Sequence, residues 1–283
     1  MAAVTTPAPE ALAQARRAKR PRLRRVPWWH VLWLVVAALV FLVPLYSLFQ
    51  FSFEGTVGHQ PWYHWYQVTF DDGQFRSSFW LSIQISLEAT AISVVLMVPT
   101  VFWVHLRLPR LRPIMELVSV LPFVIPPIVL IVGLLVFLRP LTFLIARPEV
   151  LALIYVIFGM PFMYRSLDAG YRAIDLRTLT EAAQNLGAST FGTLFRVIVP
   201  NLRSAILGGA LLTVAISMGE YTVASLMQFS TFPVYMYEMG QEYAYRAAST
   251  AVLSLLLTWL AMLAIFLLGR GGKGAAQHLA AAK

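Results

Sequence analysis

Two carboxylates, Glu88 and Glu220, sit inside long apolar stretches of this 283-residue chain. An ionisable side chain in such surroundings is costly, so it either pairs with a neighbouring segment or meets a solute. Glu220 lies in Ser217-Met218-Gly219-Glu220-Tyr221, where Gly219 permits close backbone approach. No Lys or Arg deep in the apolar stretches matches the two carboxylates, which suits a cationic solute. Other chemistry is poorly supplied. His30, His59, His64, His105 and His278 are scattered without metal-ligand spacing. Cysteine is absent, which removes disulfides and thiolate metal sites. The run Gly269-Arg270-Gly271-Gly272-Lys273-Gly274 imitates a phosphate loop, but it lacks the spacing and the Ser/Thr and follows an apolar helix instead of a strand. No nucleophile–base pairing stands out. The chain is read as having no catalysis, metal or cofactor of its own.

The elements that position these residues follow from composition. Hydrophobic residues make up 59% of the chain and charged ones only 12%, against about 25% charged in a soluble domain. Apolar segments recur near the 20 residues needed to cross roughly 30 Å of hydrocarbon. They are continuous, not alternating, so they read as helices and not as barrel strands. Six spans are predicted at about 28–50, 79–104, 114–137, 150–167, 203–227 and 249–269, the fourth being the shortest. The fold class is therefore an all-α integral membrane protein, with residues 28–269 as the membrane domain between tails 1–27 and 270–283. Basic residues set the orientation. They crowd the N-terminal segment from Arg16 to Arg25, the second-to-third loop (Arg107, Arg110, Arg112), the fourth-to-fifth loop and the tail. Only Arg76, Arg139, Arg147 and Arg246 fall on the other side. Both termini are expected in the cytoplasm. This asymmetry, with anionic lipid as the partner, also accounts for the net charge of +9 without invoking nucleic acid. Residues 1–27 carry the composition of a disordered tail, and the first apolar run reads as a retained anchor because no cleavage site follows it.

Between the first two spans, Trp62, Tyr63, Trp65 and Tyr66 form an aromatic group outside the membrane, either an interfacial belt or a docking surface. The third span contains Pro122, Pro126 and Pro127, which remove backbone donors and should bend or interrupt it. Such a break lines a pathway or is merely structural; the sequence leaves both open.

The fourth-to-fifth loop, about 168–202, is too polar to span and too patterned to be a linker. Asp175 can cap a short helix whose Leu179, Ala182, Ala183 and Leu186 share a face. Gly187 permits a turn, and Ser189 can cap a second helix carrying Phe191, Leu194, Phe195 and Ile198. Pro200 ends that helix or opens the next element. These faces can bury themselves beneath their own bundle or in a groove on a partner, with Ala182 and Ala183 allowing close approach and Glu181 offering a charge.

The run Glu181-Ala182-Ala183, Gly187, then Val197-Ile198-Val199-Pro200 resembles the EAA signature of binding-protein-dependent ABC importer permeases. Val197 and Val199 replace the commoner Ile and Leu. Pro161-Phe162, Arg172-Ala173-Ile174-Asp175 and Leu186-Gly187-Ala188-Ser189 are similar to the same family, and the likeness covers about 65–268. Pro99-Thr100 departs from the family's usual small residues and puts the local helix geometry of the second span in question.

The resemblance implies that Glu181, Ala182, Ala183, Gly187 and Pro200 belong to the loop that docks on a separate cytoplasmic ATPase. ATP would be bound by that partner. It further implies two such ATPases, a second permease subunit (a homologue by likeness to polyamine-type systems), an extracytoplasmic substrate-binding protein and residence in a bacterial inner membrane. Gly219-Glu220-Tyr221 and Thr231-Phe232-Pro233-Val234-Tyr235 resemble the polyamine, phosphonate, iron and sulfate group, with the loop most like spermidine/putrescine-type subunits. Glu220, Tyr221 and Glu88 are the expected pathway residues. A stand-alone secondary transporter would have no use for the patterned loop, and an intramembrane enzyme would need a polar constellation that is not evident.

Overall fold

A computed structural model describes residues 28–54, 61 and 63–270. The basic N-terminal segment, Trp62, His59, His278 and the tail beyond Arg270 lie outside the described residues. All regular structure among those described is helical. Contacts divide the chain into two units, Met1–Leu48 and Phe49–Lys283. Helix α1 (Trp28–Phe53) begins in the first and is apolar along its length. The second unit contains α2 (His64–Asp71), α3 (Gly73–Leu106), α4 (Arg112–Val124), α5 (Pro127–Leu138) and α6 (Glu149–Ala173). It continues with α7 (Leu176–Asn185), α8 (Thr190–Gly219), α9 (Thr222–Leu226), α10 (Phe232–Glu242) and α11 (Ala244–Arg270).

Helices α1, α3, α6, α8 and α11 are long and apolar enough to cross a bilayer, and the pair α4–α5 makes a sixth crossing if counted as one. That pair bends by 97°. The cause is local: a residue before proline is pushed into extended backbone, and Ile125 and Pro126, each followed by proline, have ψ of 121° and 135°. The expected interruption of the third span is therefore present, at Val124–Pro127. Pro99, by contrast, leaves α3 unbroken through 34 residues.

Several boundaries differ from the hydropathy reading. The fourth span is not the short one. Helix α6 runs 25 residues, and its most apolar window is 67% buried, more than that of any other described span. Its last two turns look polar in sequence because Arg165, Ser166, Asp168 and Arg172 are there, but each has a partner: Glu116 at 3.2 Å, the Ala205 carbonyl at 2.6 Å, and for Asp168 both His105 at 3.0 Å and Arg172 at 2.9 Å. The loop expected at 168–202 is correspondingly shorter, since α6 extends to Ala173 and α8 already begins at Thr190. The fifth span also ends earlier than expected, at Gly219.

Helices α3, α6 and α8 form the packed centre. Toward one end Ile85 and Ala89 of α3 meet Leu151 and Ile154 of α6; toward the other Val101 and Phe102 meet Tyr164, Leu167 and Ile198. Lipid offers no hydrophobic drive for this association, so close approach through small residues has to supply it. A Cβ on Gly170 would stand 2.6 Å from the Ala205 Cβ, and one on Gly209 would stand 3.1 Å from the Met163 Cα. The buried face of α3 includes a run of small hydroxylic residues, Ser78, Ser82, Ser86 and Ser93.

Candidate functional site

The loop between α6 and α8 forms as its capping residues dictate. Asp175 caps α7 by accepting the Thr178 amide at 3.2 Å and the Thr178 hydroxyl at 2.8 Å. Those hydroxyl and amide bonds hold its carboxyl below the usual range. At the other end Gly187 has φ +83°, a region that L side chains rarely adopt. The Ala188 amide donates to the Ala183 carbonyl at 3.0 Å and the Gly187 amide to the Gln184 carbonyl at 2.9 Å, which is a Schellman closure. Ser189 then caps the start of α8 through the Gly192 amide at 3.1 Å. Pro200 does not end the helix. A π turn over Leu194–Ile198 precedes it, and the Val199 amide reaches back to the Leu194 carbonyl. The wider turn makes room for a ring that would otherwise crowd the carbonyl four residues earlier.

The expected apolar faces divide in two. Leu176, Thr180, Ala183, Leu194 and Ile198 are buried against the chain's own bundle. Leu186, Phe191 and Phe195 are turned outward, 89%, 67% and 61% exposed, around a groove of about 690 Å³. Ala182 is exposed beside them. Glu181 is exposed and held by Arg177 at 2.9 Å, an i,i+4 surface pair worth little and easily exchanged. One face is thus buried beneath the chain's own bundle, and the opposite face is left open.

Glu220 marks a break. Helix α8 ends at Gly219, Glu220 is extended (φ −77°, ψ 118°), and α9 starts at Thr222. Both carboxylate oxygens accept the Val223 amide, at 3.1 and 2.9 Å, and Oε2 also accepts the Tyr155 hydroxyl at 3.3 Å. The side chain therefore supplies the acceptor that the exposed amides of α9 require. Tyr221 follows in the break and stacks obliquely on Tyr237, ring centroids 5.1 Å apart, at a cavity of about 520 Å³ that Met218 and Met236 also line. Glu88 lies elsewhere, midway along α3, where it accepts from Gln84 at 2.9 Å. It shares a cavity of about 510 Å³ with Arg147, a cation that hydropathy alone assigns to a loop. The fold does not bring Glu88 and Glu220 into one hydrogen-bonded cluster.

Sequence reasoning missed two polar groupings that clamp α3 at its ends. At its start Asp72 accepts the Gln74 amide at 2.8 Å and the Tyr235 hydroxyl at 2.9 Å, and pairs with Arg246. Partial burial pushes the Asp72 carboxyl up, but the amide, hydroxyl and guanidinium together outweigh it and hold it below its ordinary value. At its finish His105 stands 3.0 Å from Asp168, which Arg172 also holds. The partners that join different helices, His105 with Asp168 and Asp72 with Tyr235 and Arg246, are 63 to 174 residues apart, so no local spacing could reveal them.

Comparison with known proteins agrees with this architecture. Residues 106–271, which contain the bent third span, the capped loop and the break, match the family described as "Binding-protein-dependent transport system inner membrane component". The spermidine/putrescine transport system permease protein PotB of Haemophilus influenzae is 32% identical over 164 residues, 52% of this chain and 57% of that protein. The molybdenum transport system permease protein ModB of Azotobacter vinelandii is 30% identical over 165 residues, 52% of this chain and 71% of that protein. A probable sulfate transport system permease protein of Chlorokybus atmophyticus is 40% identical over 115 residues, covering 38% and 39%. The chain thus spans little more than half the length of its PotB relatives. With more than half of its own length inside the family match, and that half containing the helices just described, this chain belongs to the binding-protein-dependent transport system inner membrane component family.

Proposed function

We propose that the chain is the transmembrane permease subunit of an ATP-driven importer, driven through the α6–α8 loop by ATPase subunits bound outside the membrane. The observation that carries this reading is the outward crown of Leu186, Phe191 and Phe195 on a loop whose inner face is locked to the bundle. Large apolar side chains exposed beyond the spans need a partner, and a rigid capped element transmits a partner's movement to the helices it grips. Glu181, Ala182, Ala183 and Gly187 build the loop, and Pro200 with its π turn lies in the first turns of α8. In this reading two ATPases bind ATP, a second permease, homologous to this chain, completes the pathway, and an extracytoplasmic binding protein delivers the solute. Both termini lie on the ATPase side.

Glu88, Tyr221 and Glu220 border the pathway, Glu220 by fixing the break and Tyr221 by facing the cavity beside it. Glu220 with the Tyr221–Tyr237 pair suits a polyamine, in keeping with the name of the spermidine/putrescine relatives, whereas Glu88 shares its cavity with Arg147. The sulfate and molybdenum relatives support a second reading, an oxyanion, which Glu220 permits because hydrogen bonds already occupy its carboxylate.

The decisive experiment is purification of the chain with its candidate ATPase, comparing wild type with Leu186→Ser combined with Phe191→Ser. Both side chains are exposed, so the variant should insert normally yet lose the ATPase. A variant that retains it undiminished, or a chain that transports alone, refutes the reading. The solute captured by the cognate binding protein decides between polyamine and oxyanion.

A further inference from the structure

A cavity of about 780 Å³ lies between the end of α3, the start of α4, the end of α6 and helix α7. Four guanidinium groups line it, those of Arg107, Arg112, Arg172 and Arg177, against the single carboxylate of Glu181. Pairing leaves a surplus. Arg177 is matched by Glu181, and Arg172 by Asp168. Arg107 has no ion pair among the described residues. Arg112 donates only to the His105 carbonyl, at 3.2 Å, and its buried Nε has no partner. Two uncompensated guanidiniums thus face one concave space at the end of the spans where the chain's basic residues concentrate.

Such an arrangement has a definite complement. A guanidinium presents donors in a fixed fork that fits tetrahedral oxyanions, and a concavity lined by one sign of charge concentrates counter-ions. We propose that this cavity binds a phosphate-bearing anion, held by Arg107 and Arg112 and reaching Arg177 on the opposite wall. The phosphate comes from an anionic lipid headgroup or from free phosphate, and the chemistry of capture is the same for both. Occupancy ties the α3–α4 turn to α7, so the ligand stiffens the base of the proposed coupling loop. The inference rests on the chain's membrane placement, not on its solute or its ATPase.

The test uses the full chain in nanodiscs and needs no ATPase, so its failure is distinct from failure of the permease reading. In one arm the discs contain phosphatidylcholine with a minority of phosphatidylglycerol, and retained lipid is counted by native mass spectrometry after delipidation. In the other the discs are phosphatidylcholine alone, and labelled inorganic phosphate is added by equilibrium dialysis at constant ionic strength. Arg107→Gln, exposed and free to fold, should weaken binding about fivefold, and adding Arg112→Gln should weaken it by about as much again. Arg110→Gln, one turn away and outside the cavity, should leave binding unchanged. Loss confined to the lipid arm identifies a headgroup, and loss in the phosphate arm identifies the free ion. Wild type that retains no more phosphatidylglycerol than Arg107→Gln and binds no phosphate overturns the proposal. An equal loss in Arg110→Gln also overturns it, because surface charge alone would then explain the binding.

Discussion

Replacing Glu220 by alanine removes the acceptor of the Val223 amide and the partner of the Tyr155 hydroxyl in one step. Loss of a helix cap costs about 1 kcal/mol. Stranding the hydroxyl of Tyr155, which is only 2% exposed, adds about 1–3 kcal/mol. Glu220→Ala should therefore destabilise the protein by about 2–4 kcal/mol. Glu220→Gln keeps an acceptor for Val223 and a group for Tyr155, and loses only the charge-assisted share, about 1 kcal/mol. Combining Tyr155→Phe with Glu220→Ala should remove the stranding cost, so the double-mutant cycle should give a coupling energy of about 1–3 kcal/mol. Unfolding in mixed detergent–SDS micelles measures the stabilities, and uptake into proteoliposomes with the assembled complex measures function. Transport by Glu220→Gln should follow its small stability loss. If Glu220→Ala is as stable as wild type, the capping account fails. If Glu220→Gln assembles at full stability and yet stops transport, the carboxylate's charge acts on the solute and not on the break.

Three further outcomes follow from other positions. A Cβ on Gly187 meets no neighbour within 4 Å, so in Gly187→Val strain at φ +83° should be what disorders the α7–α8 junction and lowers coupled transport, whereas Gly187→Asn, which tolerates that region, should transport nearly normally in the same assay. Gly170→Ala should cost about 1–3 kcal/mol by forcing α6 from α8, and Ala205→Gly in the same chain should restore most of it in the unfolding assay. Asp72→Asn should lower stability at neutral pH. Because the folded carboxyl titrates below its ordinary value, the wild-type advantage is complete above about pH 4 and disappears as pH falls through the lowered value, which unfolding curves from neutral pH to pH 3 will show.

What was legible in the sequence was local. Asp175, Gly187 and Ser189 announce their caps because an N-cap and a left-handed glycine act on amides one to five residues away. Pro126 and Pro127 announce the bend for the same reason. Hydropathy found the spans but misplaced the end of α6, because it scores Arg165, Asp168 and Arg172 as though water were their only partner. Glu220 stands out in the sequence as a carboxylate among apolar residues, but its employment by Val223 and Tyr155 depends on a helix break and on a second helix 65 residues away. The division of the loop's apolar face was hidden too. Period alone cannot tell which of Ala183 and Leu186 turns inward, since both sit on one stripe and the bundle decides.

The serine face of α3 has a mechanical meaning. Ser78 bonds back to its own helix, through the Phe75 carbonyl, and Ser86 and Ser93 have no hydrogen-bond partner among the described residues. Only Ser82 is committed across the interface, to the Phe232 amide at 2.8 Å. Along this stretch, from Ser78 to Ser93, the contact is made by shape more than by directed bonds, and such surfaces slide more readily than bonded ones. The alignment of that stretch is then held from outside it, by the Asp72–Arg246 pair at the start of α3 and by the Tyr171–Val98 and His105–Asp168 hydrogen bonds toward its finish, so loosening either group should be felt first along the serines.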